Sequence, residues 1–84
     1  MDKLTLYVAI GKLRKKVLRS LDNPKTPTQL SRLLNTHRST INKILLDFTK
    51  KGLTKQLNPT DPFNVFYQKT PKGNKVLKEL EKLE

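Results

Sequence analysis

The chain has no cysteine, one histidine and only 7 acidic residues against 18 Lys and Arg. Without cysteine there is no disulfide, no thiolate metal site and no thiol nucleophile, which fits a reducing compartment. A lone histidine cannot assemble a metal site, so neither a metal nor a cofactor is expected. No run of about 18 apolar residues is present to span a bilayer. Met1-Asp2-Lys3 does not begin a secretory signal, and a cytoplasmic location is expected. Neither a GxGxxG nor a Walker loop occurs. Asp22, Asp47 and Asp61 are scattered, whereas a nuclease needs clustered carboxylates. An enzyme fails on ingredients.

Positive charge is what the chain has in excess. The net charge is +11 on 84 residues. Residues 1–55 carry 13 basic and 3 acidic side chains, a surplus of 10, whereas residues 56–84 carry 5 and 4. Like charges on a compact surface repel, and a polyanion relieves them. Nucleic acid and an anionic membrane surface are the candidate partners. A charged thermophile surface is the bland alternative, but it usually balances Lys with Glu. Size and pattern favour nucleic acid and give no reason to expect a membrane partner. At 35% hydrophobic residues the chain has enough for one modest core, so residues 1–84 read as one domain.

Punctuation falls at Asn23-Pro24-Lys25-Thr26-Pro27, Asn35-Thr36-His37, Gly52, Asn58-Pro59-Thr60-Asp61-Pro62 and Thr70-Pro71. From Gly11 to Leu21, Leu13, Val17, Leu18 and Leu21 recur at helical spacing, with Lys12, Lys15, Lys16 and Arg19 opposite. Residues 4–10 alternate as a strand would, yet Leu6 and Ile10 extend the helical stripe. Helix is favoured there, with an irregularity at Gly11. Thr26-Pro27-Thr28-Gln29 predicts a capped start to a second helix of about eight residues, burying Leu30, Leu33 and Leu34.

A third helix is expected from about Arg38 to Lys51, ended by Gly52. At about 100° per residue, Ile41, Ile44, Leu45 and Phe48 share its core side, while Ser39, Asn42, Lys43, Leu46 and Lys50 share the far side. Leu53–Leu57 and Phe63–Lys69 predict a β-hairpin with a loop of about five residues. Thr70-Pro71 then begins a last helix with Val76, Leu77, Leu80 and Leu83 as its stripe. Lys-rich at its start and Glu-rich at its end, this helix opposes its own dipole and needs packing to hold it.

A short capped helix, a tight turn, a longer helix and a hairpin form the order of a winged helix-turn-helix. The fold class expected is mainly α with a small β-hairpin: helix-turn-helix at about 27–51, wing at about 53–69 and C-terminal helix at about 71–83. In such a unit the second helix enters the major groove, where base edges distinguish all four pairs.

The segments Lys12–Leu21, Thr26–Leu30, His37–Ile41, Lys51–Leu53 and Tyr67–Gly73, in this order and spacing, resemble archaeal winged-helix transcription regulators related to the MarR and ArsR groups. The resemblance covers about residues 10–83. It implies double-stranded DNA as partner, a homodimer, the third helix in the major groove, and His37, Arg38, Ser39, Thr40, Asn42 and Lys43 at the DNA surface. The tip Asp61-Pro62-Phe63-Asn64 lacks the Asp-x-Arg motif common in the MarR group, which argues against wing insertion into the minor groove. The cysteine-free chain lacks the ligands of ArsR metal sensors. It is also shorter than typical MarR proteins, whose extra helices enclose an effector pocket, so no small-molecule effector is expected.

Residue by residue, Arg38 suits guanine O6/N7 or a phosphate. Asn42 is either an adenine reader or a solvated amide. Lys43 and Lys50 suit phosphates, as do the hydroxyls of Ser39 and Thr40. Lys55 and Lys69 flank the wing and are candidates for backbone contact. His37 stands at the helix N-cap, as a cap or a phosphate contact. Leu46 either meets a thymine methyl or covers a neighbouring element. Tyr67 reads as core, and Phe63, Phe66 and Tyr67 do not make a base-stacking platform. Val76, Leu80 and Leu83 either pack within the chain or zip against a twin. The rival readings are a sequence-indifferent architectural DNA-binding protein and a winged-helix protein–protein adaptor.

Overall fold

The computed structural model describes residues 2–61 and 64–83; the hairpin reading of Phe63 lies outside the described residues. The elements are α1 (Lys3–Ala9), α2 (Lys12–Arg19), α3 (Pro27–Leu33), α4 (Arg38–Lys50), β1 (Thr54–Gln56), β2 (Tyr67–Lys69) and α5 (Pro71–Leu83). This is a mainly helical fold with one antiparallel hairpin: a winged helix.

The N-terminal segment is helical as expected, but it forms two helices. Gly11 leaves helical geometry at φ −105° and ψ 108° and becomes the N-cap of α2. The predicted third helix is therefore α4. In α1 the expected stripe is corrected: Thr5 and Val8 are buried, whereas Leu6 is 50% and Ile10 72% exposed. The Leu6/Ile10 spacing matched the period of α2, but the break at Gly11 ends that phase.

Local chemistry sets the helix-turn-helix. The Gln29 N–H donates to Thr26 Oγ1 at 3.2 Å, and the Thr26 N–H donates to Gln29 Oε1 at 2.9 Å. This reciprocal capping box satisfies two N-terminal donors of α3. α3 ends on Asn35 at φ 51°, with the Thr36 N–H reaching Ser31 O at 2.9 Å and the Asn35 N–H reaching Arg32 O. Both bonds belong to a Schellman closure in which Asn takes the left-handed position. Leu30 is fully buried and Leu34 half-buried, but the expected core role of Leu33 is wrong, since its side chain points to solvent.

α4 closes in the same way. The Leu53 N–H donates to Phe48 O at 2.8 Å and the Gly52 N–H to Thr49 O at 3.0 Å, with Gly52 at φ 78°. Phe48 and Leu53, the apolar pair that accompanies such a closure, are both fully buried. The chain then enters β1 directly beneath α4, where the Thr49 and Thr54 hydroxyls share a bond of 2.9 Å.

The wing is shorter in strand and longer in loop than expected. Pairing runs Thr54↔Lys69, Lys55↔Gln68 and Gln56↔Tyr67, and Leu57 adds one bond to Phe66 O. Beyond it the Asn58 side chain donates to Asn64 O at 2.8 Å and accepts from the Phe66 N–H at 2.7 Å, so side-chain bonds replace the ladder. Tyr67 is buried as expected and receives the Gln56 amide at its hydroxyl. An unforeseen bridge links the backbones of Lys25 and Tyr67, tying the entry of α3 to the wing.

The core joins Val8, Val17, Leu18, Leu21, Leu30, Ile41, Leu45, Phe48, Leu53, Tyr67, Val76 and Leu80. Val76 and Leu80 pack within the chain, which removes them from a twin-chain zipper, and Leu83 is exposed. α5 lies against α1, α2 and β2, the packing its adverse charge order requires.

Thr70 anchors the start of α5, donating to Gly52 O at 2.6 Å and accepting from the Gly73 N–H at 3.1 Å. Helix propensity alone favours alanine over glycine by about 1 kcal/mol. At Gly73, however, a Cβ would lie 2.2 Å from Leu53 O, a backbone atom. Gly73→Ala is therefore expected to destabilise the fold by about 1–3 kcal/mol, read as a lower urea midpoint; an unchanged or higher midpoint would refute the close packing.

Candidate nucleic-acid interface

One side of α4 is sealed: Ile41, Leu45 and Phe48 are fully buried, and Ile44 is half-buried. A thirteen-residue helix with that side buried must turn its opposite side outward. His37, Arg38, Ser39, Thr40, Lys43 and Lys50 are exposed there; Asn42 is half-buried. α4 is about 20 Å long at 1.5 Å per residue, enough to cross several base pairs. On the wing, Lys55 is exposed and Lys69 half-buried on the paired strand. Lys69 is paired with the buried Thr54 and Lys55 with Gln68, so the two lysines lie on opposite faces of the hairpin and do not form one patch.

His37 is the N-cap residue by backbone geometry, but no side-chain cap bond forms, which removes the capping half of its reading. Its ring instead lines an open concavity of about 600 Å³ with Ser31, Arg32, Asn35 and Thr36. Arg32, on the exposed side of α3, is a basic group that reading α4 alone overlooked. Its outward place in α3 was visible, but the turn that brings it beside His37 depends on the left-handed Asn35.

Leu46 is 47% exposed and borders a second open groove of about 430 Å³ with Tyr7, Arg14, Lys43, Ile44, Asp47 and Lys50. At this groove α1 is fastened to α4. The Tyr7 hydroxyl donates to Asp47 Oδ2. Arg14 stacks over the Tyr7 ring at 4.0 Å and donates to Tyr7 O at 2.9 Å. Lys51 lies 4.6 Å from the ring centroid and 3.1 Å from Asp47 Oδ1. The one carboxylate on α4 is thus tied to the flank.

Burial, then the bond to Asp47, raises the Tyr7 pKa to about 12. The Tyr7 bond, then Lys51, holds the Asp47 carboxyl below the usual range. No helix among the described residues is long and apolar enough to cross a membrane. No group of three or more His, Cys, Asp or Glu among them could hold a metal ion.

No family model matches the chain, and no curated protein matches it. Solved structures do. Wild-type MarR from E. coli, in the apo form, superposes with a TM-score of 0.78 at 24% identity, over 95% of this chain and 64% of that one. A mutant MarR from E. coli complexed with operator DNA gives 0.77 at 24%, over 98% and 64%. The transcriptional regulator BldR from Sulfolobus solfataricus gives 0.72 at 23%, over 90% and 52%. The chain spans less than two thirds of the length of these proteins. The fold is that of MarR-like winged-helix regulators.

The Tyr7 bond generates a pH prediction. A phenol whose folded pKa is raised from 10.0 stabilises the fold fully below pH 10, and that contribution is lost as pH rises through about 12. Asp47 acts oppositely, its contribution being present above the ordinary carboxylate range and lost as pH falls through its depressed value. Tyr7→Phe is expected to cost about 1 kcal/mol near neutrality. In urea denaturation the gap between wild type and variant should close between pH 10 and 12; a gap constant over that window would exclude this role of Tyr7.

Proposed function

We propose that this chain is a cytoplasmic, double-stranded-DNA-binding transcriptional regulator, a single winged-helix domain that acts as a homodimer with α4 in the major groove. The observation that carries the reading is the two-sidedness of α4, whose solvent side offers guanidinium, hydroxyl and ammonium groups while its one carboxylate is engaged by Tyr7 and Lys51. The likeness to a MarR structure complexed with operator DNA supports the same partner. The finer placement among archaeal regulators related to MarR and ArsR belongs to this proposal. So does the dimer, for which the exposed Leu6, Ile10 and Leu83 offer apolar surface on α1 and α5.

In this reading Arg38, Ser39, Thr40, Lys43 and Lys50 meet phosphates or base edges, with His37 at the entry of α4. Asn42 reads a base from its half-buried position, and Lys55 and Lys69 meet the backbone from the wing. Counterion release by the cations supplies most of the affinity, and the α4 groups that reach base edges supply the sequence preference. Two copies would read half-sites about one helical turn apart.

Selection of bound duplexes from a random pool, with sizing of the free protein, tests the proposal as a whole. A selected duplex should outcompete random duplex at fixed salt. A ratio near one identifies an architectural coater, and duplex affinity that stays flat as salt rises identifies an adaptor. Lys43→Ala is expected to weaken all duplexes alike and to reduce the salt slope by about one unit; an intact slope removes Lys43 from the backbone. Asn42→Ala should cost about 1–3 kcal/mol at one base position. Equal loss on every sequence would leave Asn42 a packing residue.

A further inference from the structure

We propose that α2 carries a second DNA-backbone-binding face, separate from α4, so that a bound protein holds a second duplex segment. The inference rests on the duplex reading of α4. Its own observation is the charge arrangement of α2. Val17 and Leu18 are fully buried, and Lys12 and Lys16 are exposed on the opposite side, with Lys15 half-buried between them. α2 and α4 touch across the core through their apolar sides. Their outward sides therefore diverge, and a duplex lying on α4 leaves the lysines of α2 uncovered.

Folding does not account for these cations. The first turn of α2 contains Lys12, Arg14 and Lys15 and no acidic residue, at the end of the helix where the dipole disfavours positive charge. Lys12 repels Lys15 and Lys16 at the three- and four-residue spacings where side chains meet. Three carboxylates of nearby elements are engaged elsewhere. Asp2 caps α1 through the Thr5 N–H, Asp47 holds Tyr7 and Lys51, and Glu79 lies 3.8 Å from Lys82. A charge row that opposes its own helix is relieved by an external polyanion.

DNA fits that role better than a lipid surface. An interfacial helix must place its apolar face in the bilayer, and the apolar face of α2 is in the core. The exposed row has ammonium groups and no large apolar side chain among them. That is a surface for spaced phosphates.

The test uses the full chain and the variant Lys12→Gln/Lys15→Gln/Lys16→Gln, none of whose residues belongs to the α4 site. One measurement is affinity for a single short duplex. The other is capture of a labelled second duplex by protein bound to a bead-held one. The wild type should capture the second duplex. The variant should lose capture by roughly tenfold or more while its single-duplex affinity stays within about threefold. It should melt at or above the wild-type temperature, since the repulsion is removed. Arg38→Ala/Lys43→Ala should lose single-duplex binding first.

Undiminished capture by the α2 variant overturns the inference, because two α4 faces of a dimer would then be the bridge. Wild type that binds one duplex and never captures another overturns it and leaves the α4 reading intact. Capture of phosphatidylserine vesicles through these lysines, without capture of DNA, also overturns it. Wild type that binds no duplex, or binds unchanged in Arg38→Ala/Lys43→Ala, defeats the α4 reading itself.

Discussion

The corner at Gly52 and Leu53 is the point on which the rest of the structure depends. There the last turn of α4 closes onto Leu53, Thr70 bonds the Gly52 carbonyl, and Gly73 lies against the Leu53 carbonyl. Three elements meet within a few residues: α4, the wing and α5. The left-handed Gly52 permits the reversal, and the burial of Phe48 with Leu53 makes it stable. The angle between α4 and the hairpin is therefore set by short-range backbone bonds, so the basic groups of α4 keep a fixed relation to those of the wing.

What was legible in the sequence was local. Thr26 and Gln29 lie three residues apart, and their reciprocal bonds form within one turn, so the start of α3 could be read from four residues. The same holds for Gly52 and for the hydrophobic period of α4. The misreadings came where distant parts of the chain decide. Leu6 and Ile10 match the helical period of α2, but the break at Gly11 and the packing of α1 on α5 bury Thr5 and Val8 instead. The β-branched and aromatic residues before Tyr67 invited a longer strand, yet the Asn58 amide takes the bonds that a ladder would use. The Lys25–Tyr67 bridge joins positions about forty residues apart and leaves no mark in either segment.

The candidate site was legible to a similar depth. Which α4 residues face outward followed from the period, and only Asn42 is partly covered. What the period could not show was the neighbourhood. Arg32 comes beside His37 because Asn35 turns the chain left-handed, and Leu46 stands at a groove because Tyr7 arrives from α1.

Tyr7 also explains how an acidic residue is accommodated on a helix proposed to meet a polyanion. A free carboxylate on α4 would repel phosphate. Asp47 instead accepts from the Tyr7 hydroxyl and from Lys51, while Arg14 covers the other side of the ring, so its charge is offset by two cations within the same cluster. The Tyr7–Asp47 bond also fixes α1 to α4, because burial makes breaking it costly. One cluster thus performs two tasks: it moves negative charge away from the exposed face, and it joins the N-terminal helix to the helix that presents Arg38 and Lys43. Val8 places α1 in the core and Tyr7 ties the same helix to α4, so the N-terminal helix is joined to the helix that carries the basic surface by both packing and a hydrogen bond.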